Sequence, residues 1–318
     1  MKKSLRFLMI AVIAISVTFT SCKKSDTANS DNSSELSTHS DDQSSFSNES
    51  DAVINDANAA IENFSAFEGR EQSTLTLPCN ATVVLDSTAT LRRITITYNG
   101  LNCWGNRFRT GKVILTMLLG QRWIDQNAIL TTTFENLKIT RVSDNKSITI
   151  NGIHEVKNLT GGRLGQLRLP GGPASIVHEI TSPGMNVTFD NGTTRSWKVG
   201  KKRTFTYSPP GPNGNYVIKT EGIHTDGTTT GISEWGTNRF GNAFVTVISD
   251  PMIIRGDCDF RLVSGQVSHQ RLNATAVVTF GLDATGNPTT CPGVGLPYYF
   301  KLVWTGANGV VRTFIRPY

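Results

Sequence analysis

Two histidines are followed directly by glutamate, His154-Glu155 and His178-Glu179. An imidazole and a carboxylate brought together could share a metal ion or pass a proton. Neighbouring residues of an extended chain point to opposite faces, however, so each pair is split between the two sides of a strand. The other histidines, His39, His224 and His269, have no partner at metal-ligand spacing. The chain has no His-Glu-x-x-His, Gly-x-Ser-x-Gly or phosphate-loop motif. Paired carboxylates would point to glycoside hydrolysis. Beyond residue 72 there are 14 acids, and Asp144, Asp190, Asp226 and Asp283 fall in turns. Asp125, Glu135, Glu179, Glu221 and Glu234 remain free to pair, with nothing to bring them together. No catalytic residue, metal or cofactor is expected, and the chain reads as a non-enzyme.

The sharpest charge feature is Lys198-Val199-Gly200-Lys201-Lys202-Arg203, with Arg195 and Trp197 beside it. Arg195, Trp197, Lys198, Lys201, Lys202 and Arg203 are the candidate contacts for an anionic glycan or lipopolysaccharide phosphate. The plainer alternative is a solvated strand-and-turn face. Nucleic acid is not expected as a partner. Trp104, Trp123, Trp197, Trp235 and Trp304 could stack on sugar rings, but core packing accounts for most of them, with one or two left exposed.

The elements that position these groups are strands. After residue 73 period-2 alternation dominates, as in Arg93-Ile94-Thr95-Ile96-Thr97-Tyr98, Ser147-Ile148-Thr149-Ile150 and Tyr299-Phe300-Lys301-Leu302-Val303-Trp304. Asn99-Gly100, Asp144-Asn145, Asn191-Gly192, Asp226-Gly227 and Asn308-Gly309 supply turn signals. No helical pattern separates the strands, which excludes βαβ units. The expected fold is all-β over 73–318: about 14 antiparallel strands in a sandwich or one long curled sheet. A faint echo between 104–108 and 235–241 raises the prospect of two related halves.

Upstream the composition changes. Residues 23–72 hold three Lys/Arg and eleven Asp/Glu, a net of −8; the first 22 residues carry +3. The whole chain is +6, so 73–318 carries +11. Ser, Asp and Asn dominate 22–50, which reads as a disordered acidic linker with too few apolar groups to offset ordering entropy. Val53, Ile54, Ala57, Ala60, Ile61 and Phe64 fall at helical spacing, giving one short helix over 51–66 with Ser50 or Asp51 as its cap.

Four cysteines lie in the β region. A hairpin leaving Cys79 and turning near Ser87 returns beside its start just before Cys103. Another, leaving Cys258 and turning near Leu272, returns toward Cys291. The expected disulfides are Cys79–Cys103 and Cys258–Cys291.

The N-terminus reads as an export leader over 1–21. Lys2, Lys3 and Arg6 precede an apolar run, Phe7 to Val17, that is too short for a bilayer span of about 20 residues. Thr18-Phe19-Thr20-Ser21-Cys22 resembles the lipobox of bacterial lipoproteins, with Phe19 where Leu is usual, making Cys22 the lipid-bearing residue. Two or three acyl chains at about 0.8 kcal/mol per buried CH₂ would hold the protein on a membrane through that anchor. Asp26-Thr27-Ala28 resembles the motif that receives O-glycans in Bacteroidota, with Thr27 as acceptor.

Cys79, Arg93–Tyr98, Asn102-Cys103, Arg109-Thr110-Gly111-Lys112, Phe134-Glu135-Asn136-Leu137, Gly152, Trp197, Gly222, Gly231, Gly241, Cys258 and Ser264-Gly265 recur in an order that resembles a family of uncharacterised lipoproteins of Bacteroidota. The resemblance runs over most of 75–318, is carried by order and spacing, and implies an outer-membrane or surface lipoprotein with an all-β domain. It implies no activity. The resulting expectation is a non-enzymatic cell-envelope lipoprotein with a surface-binding or structural role; the alternative is a carbohydrate-binding or carbohydrate-processing surface lipoprotein.

Overall fold

The computed structural model describes residues 33–63 and 78–318, apart from 89, 210–212, 272–273, 294–295 and 306–308. Among the described residues one α-helix, α1 (Ser33–Asn63), precedes fifteen strands. The first seven are β1 (Ala81–Ser87), β2 (Leu91–Leu101), β3 (Arg107–Leu118), β4 (Ala128–Arg141), β5 (Ser147–Asn158), β6 (Ile176–Phe189) and β7 (Thr194–Ser208). Then come β8 (Asn215–Gly222), β9 (His224–Asp226), β10 (Thr229–Thr237) and β11 (Ala243–Arg255). The last four are β12 (Arg261–Arg271), β13 (Ala274–Leu282), β14 (Tyr299–Thr305) and β15 (Val311–Pro317).

All of them belong to one antiparallel sheet, so the long-sheet alternative holds and the sandwich does not. The strands follow chain order from β1 to β7 and from β11 to β15. The slot between β7 and β11 is shared: β8 pairs with Lys201–Ser208 of β7, and β10 with Trp197–Val199. Both run antiparallel to β7, so β8 and β10 amount to one strand interrupted by a small excursion, β9, that folds back on β10. The sheet is a meander, which needs only short turns between neighbours.

Alternation dictates which side faces in. In β2, Ile94, Ile96 and Tyr98 are buried while Thr95 and Thr97 are not. Of the turn dipeptides, Asp144-Asn145 and Asn191-Gly192 lie between strands, Asp226-Gly227 begins the turn from β9 to β10, and Asn308 falls outside the described residues. Asn99-Gly100 is the exception: both residues lie inside β2, and the reversal comes at 102–106. The pair makes no turn because Asn99 and Gly100 continue the ladder opposite Thr110 and Arg109.

Register shifts recur at one level across neighbouring strands: between Thr110 and Lys112, Phe134 and Leu137, Gly152 and Glu155, and Ser182 and Met185. Bulges bend strands and increase local twist, and aligned in this way they curl the sheet. Gly111 shows why the seam needs its residue types. Its φ is +105°, and a Cβ there would overlap the Asn136 carbonyl.

The curled sheet holds α1. Phe46, Val53, Ile54, Ala57, Ala60 and Ile61 enter one core with inward residues of β2 to β7, while Leu36 packs with Val267, Val278 and Trp304 at the other end. Each fully buried Phe, Ile, Val or Leu is worth about 1.5–3 kcal/mol. This corrects the expectation of a linker to residue 50 and a helix over 51–66. Residues 33–50 are helical, the helix ends at Asn63, and 22–32 and 64–66 lie outside the described residues. A Ser- and Asp-rich segment has poor intrinsic helix propensity, so burial and ion pairing with the sheet must hold it. No described helix is long and apolar enough to cross a membrane.

Both expected disulfides form, with Cα–Cα distances of 5.2 Å for Cys79–Cys103 and 5.1 Å for Cys258–Cys291. Each ties the base of the hairpin inferred for it.

Candidate functional site

The basic stretch on β7 is divided by strand alternation. Trp197, Lys201 and Arg203 point inward and are sealed from solvent, whereas Lys198 is exposed and Lys202 is half-buried beside Glu221. Arg195 donates to the carbonyls of Asn238 and Arg239. These six residues therefore do not form one surface for an anionic ligand, which corrects that expectation. Val199 and Phe205 lie on the same face as Trp197, and a period of two places Lys201 and Arg203 with them.

What Lys201 and Arg203 meet is the helix. Lys201 Nζ lies 2.7 Å from Glu234 Oε1 on β10 and 3.6 Å from Asp51 Oδ1, and donates to Ser47 Oγ at 2.7 Å. Arg203 Nη2 is 2.7 Å from Asp51 Oδ2, and its Nη1 donates to Asn55 Oδ1. Glu234 also accepts from Trp197 Nε1 at 3.2 Å and Gln43 Nε2 at 3.1 Å. Burial opposes charge on Lys201, yet Asp51 and Glu234 together hold its pKa above the ordinary lysine value. Burial likewise opposes charge on Asp51, but Arg203 and Lys201 outweigh it and hold the carboxyl below its usual range.

The same arrangement repeats along α1. Asp41 makes a two-pronged pair with Arg141 at 2.7 and 2.8 Å, and Asp42 one with Arg239 at 2.6 and 2.7 Å. Glu49 meets Arg109 at 2.9 Å and Arg107 at 3.5 Å. Asp56 accepts from the Tyr98 hydroxyl at 2.8 Å and lies 3.4 Å from Arg109. Asp41, Asp42, Glu49, Asp51 and Asp56 of α1 are thus counter-charges of the basic sheet. The signal was present in the sequence as a −8 segment beside a +11 one.

The histidines split from their glutamates as strand geometry requires. His154 and His178 are buried, while Glu155 is exposed and Glu179 half-buried. His154 packs edge-on to Phe134, and His178 to Trp123. Burial, reinforced by Lys201, pushes His154 down to about 3; burial, reinforced by Arg203, pushes His178 to about 3. His269, on β12, donates to or accepts from Thr246 and is pushed by burial to about 4. A general base working near neutral pH needs a pKa close to that pH, which none of these three has.

Among the described residues one group of metal-type ligands converges, Asp257 with Cys258 and Cys291, and its two sulfurs are joined to each other as a disulfide. Trp123, Trp197 and Trp304 are buried. Trp235 stacks on His224 at 3.9 Å on the outer face of β10, and Trp104 stands exposed at the β2–β3 turn. Four strands separate the two, so they do not line one groove. Cys22 and Thr27 lie outside the described residues.

No family model, curated protein or solved structure matches the chain.

Proposed function

We propose that the protein is a non-enzymatic cell-envelope lipoprotein, attached to the outer membrane by acyl chains on Cys22, with a surface-binding or structural role. One observation carries the reading. The groups best equipped for chemistry, Lys201, Arg203, Glu234, Asp51 and the inward histidines, are committed to one another or to apolar neighbours inside a closed helix–sheet unit. Ion pairs of this kind add little net stability once desolvation is counted, yet breaking one is costly. The leader, the small residues before Cys22 and the two disulfides support an exported, oxidised setting.

The test combines two assays. Labelled palmitate should enter the wild-type protein and not the Cys22→Ser variant, which should also leave the membrane fraction. Purified protein should leave a polysaccharide and peptide panel intact. Turnover that disappears on mutating one acid would overturn the non-enzymatic half, and label retained by Cys22→Ser would overturn the anchor.

A further inference from the structure

The β2–β3 turn is built to hold an indole out of the protein. Cys103 is bridged to Cys79, Asn102 Oδ1 accepts from the backbone N–H groups of Asn106 and Arg107, and Asn80 Nδ2 donates to the Leu101 carbonyl. Between these restraints Trp104 is 65 % exposed, the only tryptophan so placed. Leu101 and Phe108 are cross-strand partners, and the Val142 N–H donates to the Asn106 carbonyl, joining the β4–β5 turn to the patch. Leu101, Phe108 and Val142 are all exposed. A sugar site would need free polar groups around the ring. The nearest amides, Asn102 and Asn106, are hydrogen-bonded to each other. An indole beside exposed apolar side chains, rigidly presented, suits the lipid interface, where Trp concentrates.

The position of the patch fits the same partner. Antiparallel connectivity places the β2–β3, β4–β5, β6–β7 and β10–β11 turns at one end of the sheet. The β10–β11 turn grips the start of α1: Asn238 and Asn242 both donate to Glu35 Oε1. Phe240 is exposed on that turn. The chain thus enters the fold at this end, and ten residues separate Cys22 from Ser33. Ten residues span at most about 35 Å, so an anchor at Cys22 keeps the start of α1 within that distance of the lipid.

We infer that this end of the sheet, led by Trp104 with Leu101, Phe108 and Val142, seats in the interfacial layer of the bilayer, so that the protein docks on the lipid surface. The inference rests on the lipid-anchor reading, which supplies the membrane. It goes beyond that reading by fixing an orientation and naming the contact.

The test uses acylated full-length protein reconstituted into phosphatidylcholine–phosphatidylglycerol vesicles, with or without brominated acyl chains. Trp104→Phe keeps the patch apolar and removes the reporting indole, so wild type minus variant isolates the Trp104 emission. That emission should fall by about half in brominated vesicles and be shielded from aqueous iodide, as for a ring at the lipid interface. A Trp104 open to iodide and unaffected by bromine overturns the docking while leaving the anchor intact. Shielding from both quenchers means a second copy or a protein covers the patch, and also overturns it. Palmitate label measured on the same sample separates the two failures, because an unlabelled wild-type protein removes the anchor and the docking together.

Discussion

Lys201 and Glu234 face each other from adjoining strands, 2.7 Å apart, 3 % and 0 % exposed. The pair sits where β7, β10 and α1 meet, with Asp51, Gln43 and Trp197 completing its surroundings. Removing one member leaves an uncompensated charge out of water. Lys201→Met should therefore lower the unfolding free energy by about 3–5 kcal/mol. Adding Glu234→Gln, which keeps an acceptor for Trp197 Nε1, should restore most of that loss. Urea unfolding of the two variants checks it. A double variant no better than the single one would show that the loss has a source other than the stranded Glu234 charge.

Because α1 is enclosed by the sheet, its amides should exchange slowly. Hydrogen exchange across Phe46–Ile61 should open only with near-global unfolding, matching β2 and β7. A flexible linker would exchange fully in seconds. Asp42→Asn, which weakens the grip of Arg239, should cost about 2 kcal/mol and speed exchange in the first half of the helix.

Acid should destabilise the fold through three histidines. His154 and His178 titrate near 3 and His269 near 4 when folded, against about 6.5 when unfolded. Folded-state values are depressed, so the unfolded chain binds more protons below pH 6.5. Their stability contribution is complete above that pH and is lost as the pH falls toward 3–4. Each histidine contributes a slope of up to about 1.4 kcal/mol per pH unit within that window. Burial raises Asp42 and Asp56, which opposes part of the loss. Thermal melts between pH 7 and pH 4 should show the decline, and His154→Phe should flatten it.

Each disulfide closes a loop of moderate size, with sequence separations of 24 and 33 residues. On the chain-entropy model each is worth about 3–4 kcal/mol. Cys79→Ser with Cys103→Ser should lower the unfolding free energy by that amount and loosen the turn that carries Trp104. The Cys258/Cys291 double variant should leave that turn unchanged.

Gly111→Ala tests the bulge seam. Positive φ and the neighbouring Asn136 carbonyl both penalise a side chain there, so a loss of about 2 kcal/mol or more is expected in chemical denaturation. Substitution at Gly105, where nothing lies near a Cβ, should cost less.

Much of the sheet was legible because inward positions such as Ile94, Ile96 and Tyr98 alternate with polar ones, and hairpin register then dictates which cysteines meet. The first half of α1 was not legible. Apart from Leu36 and Phe46 its buried positions, His39, Ser40, Asp42, Gln43, Glu49 and Ser50, are polar or charged, so hydrophobic periodicity carries little signal there. The basic stretch misled for the converse reason: charge drew attention to a surface role, while the period-2 company of Val199 and Phe205 placed Lys201 and Arg203 inside. Charge complementarity between the two segments held the answer to both.

Glu35 waits for Asn242, 207 residues further along, and Asp42 for Arg239, 197 residues on. A chain made from its N-terminus therefore produces its central helix first and the groups that clasp it much later. Until β11 has emerged, the segment that fills the interior has only part of its lining, and early strands have no complete surface on which to settle. Such long-range closure slows folding. It leaves the first half of α1 unclasped until the turn between β10 and β11 has been made.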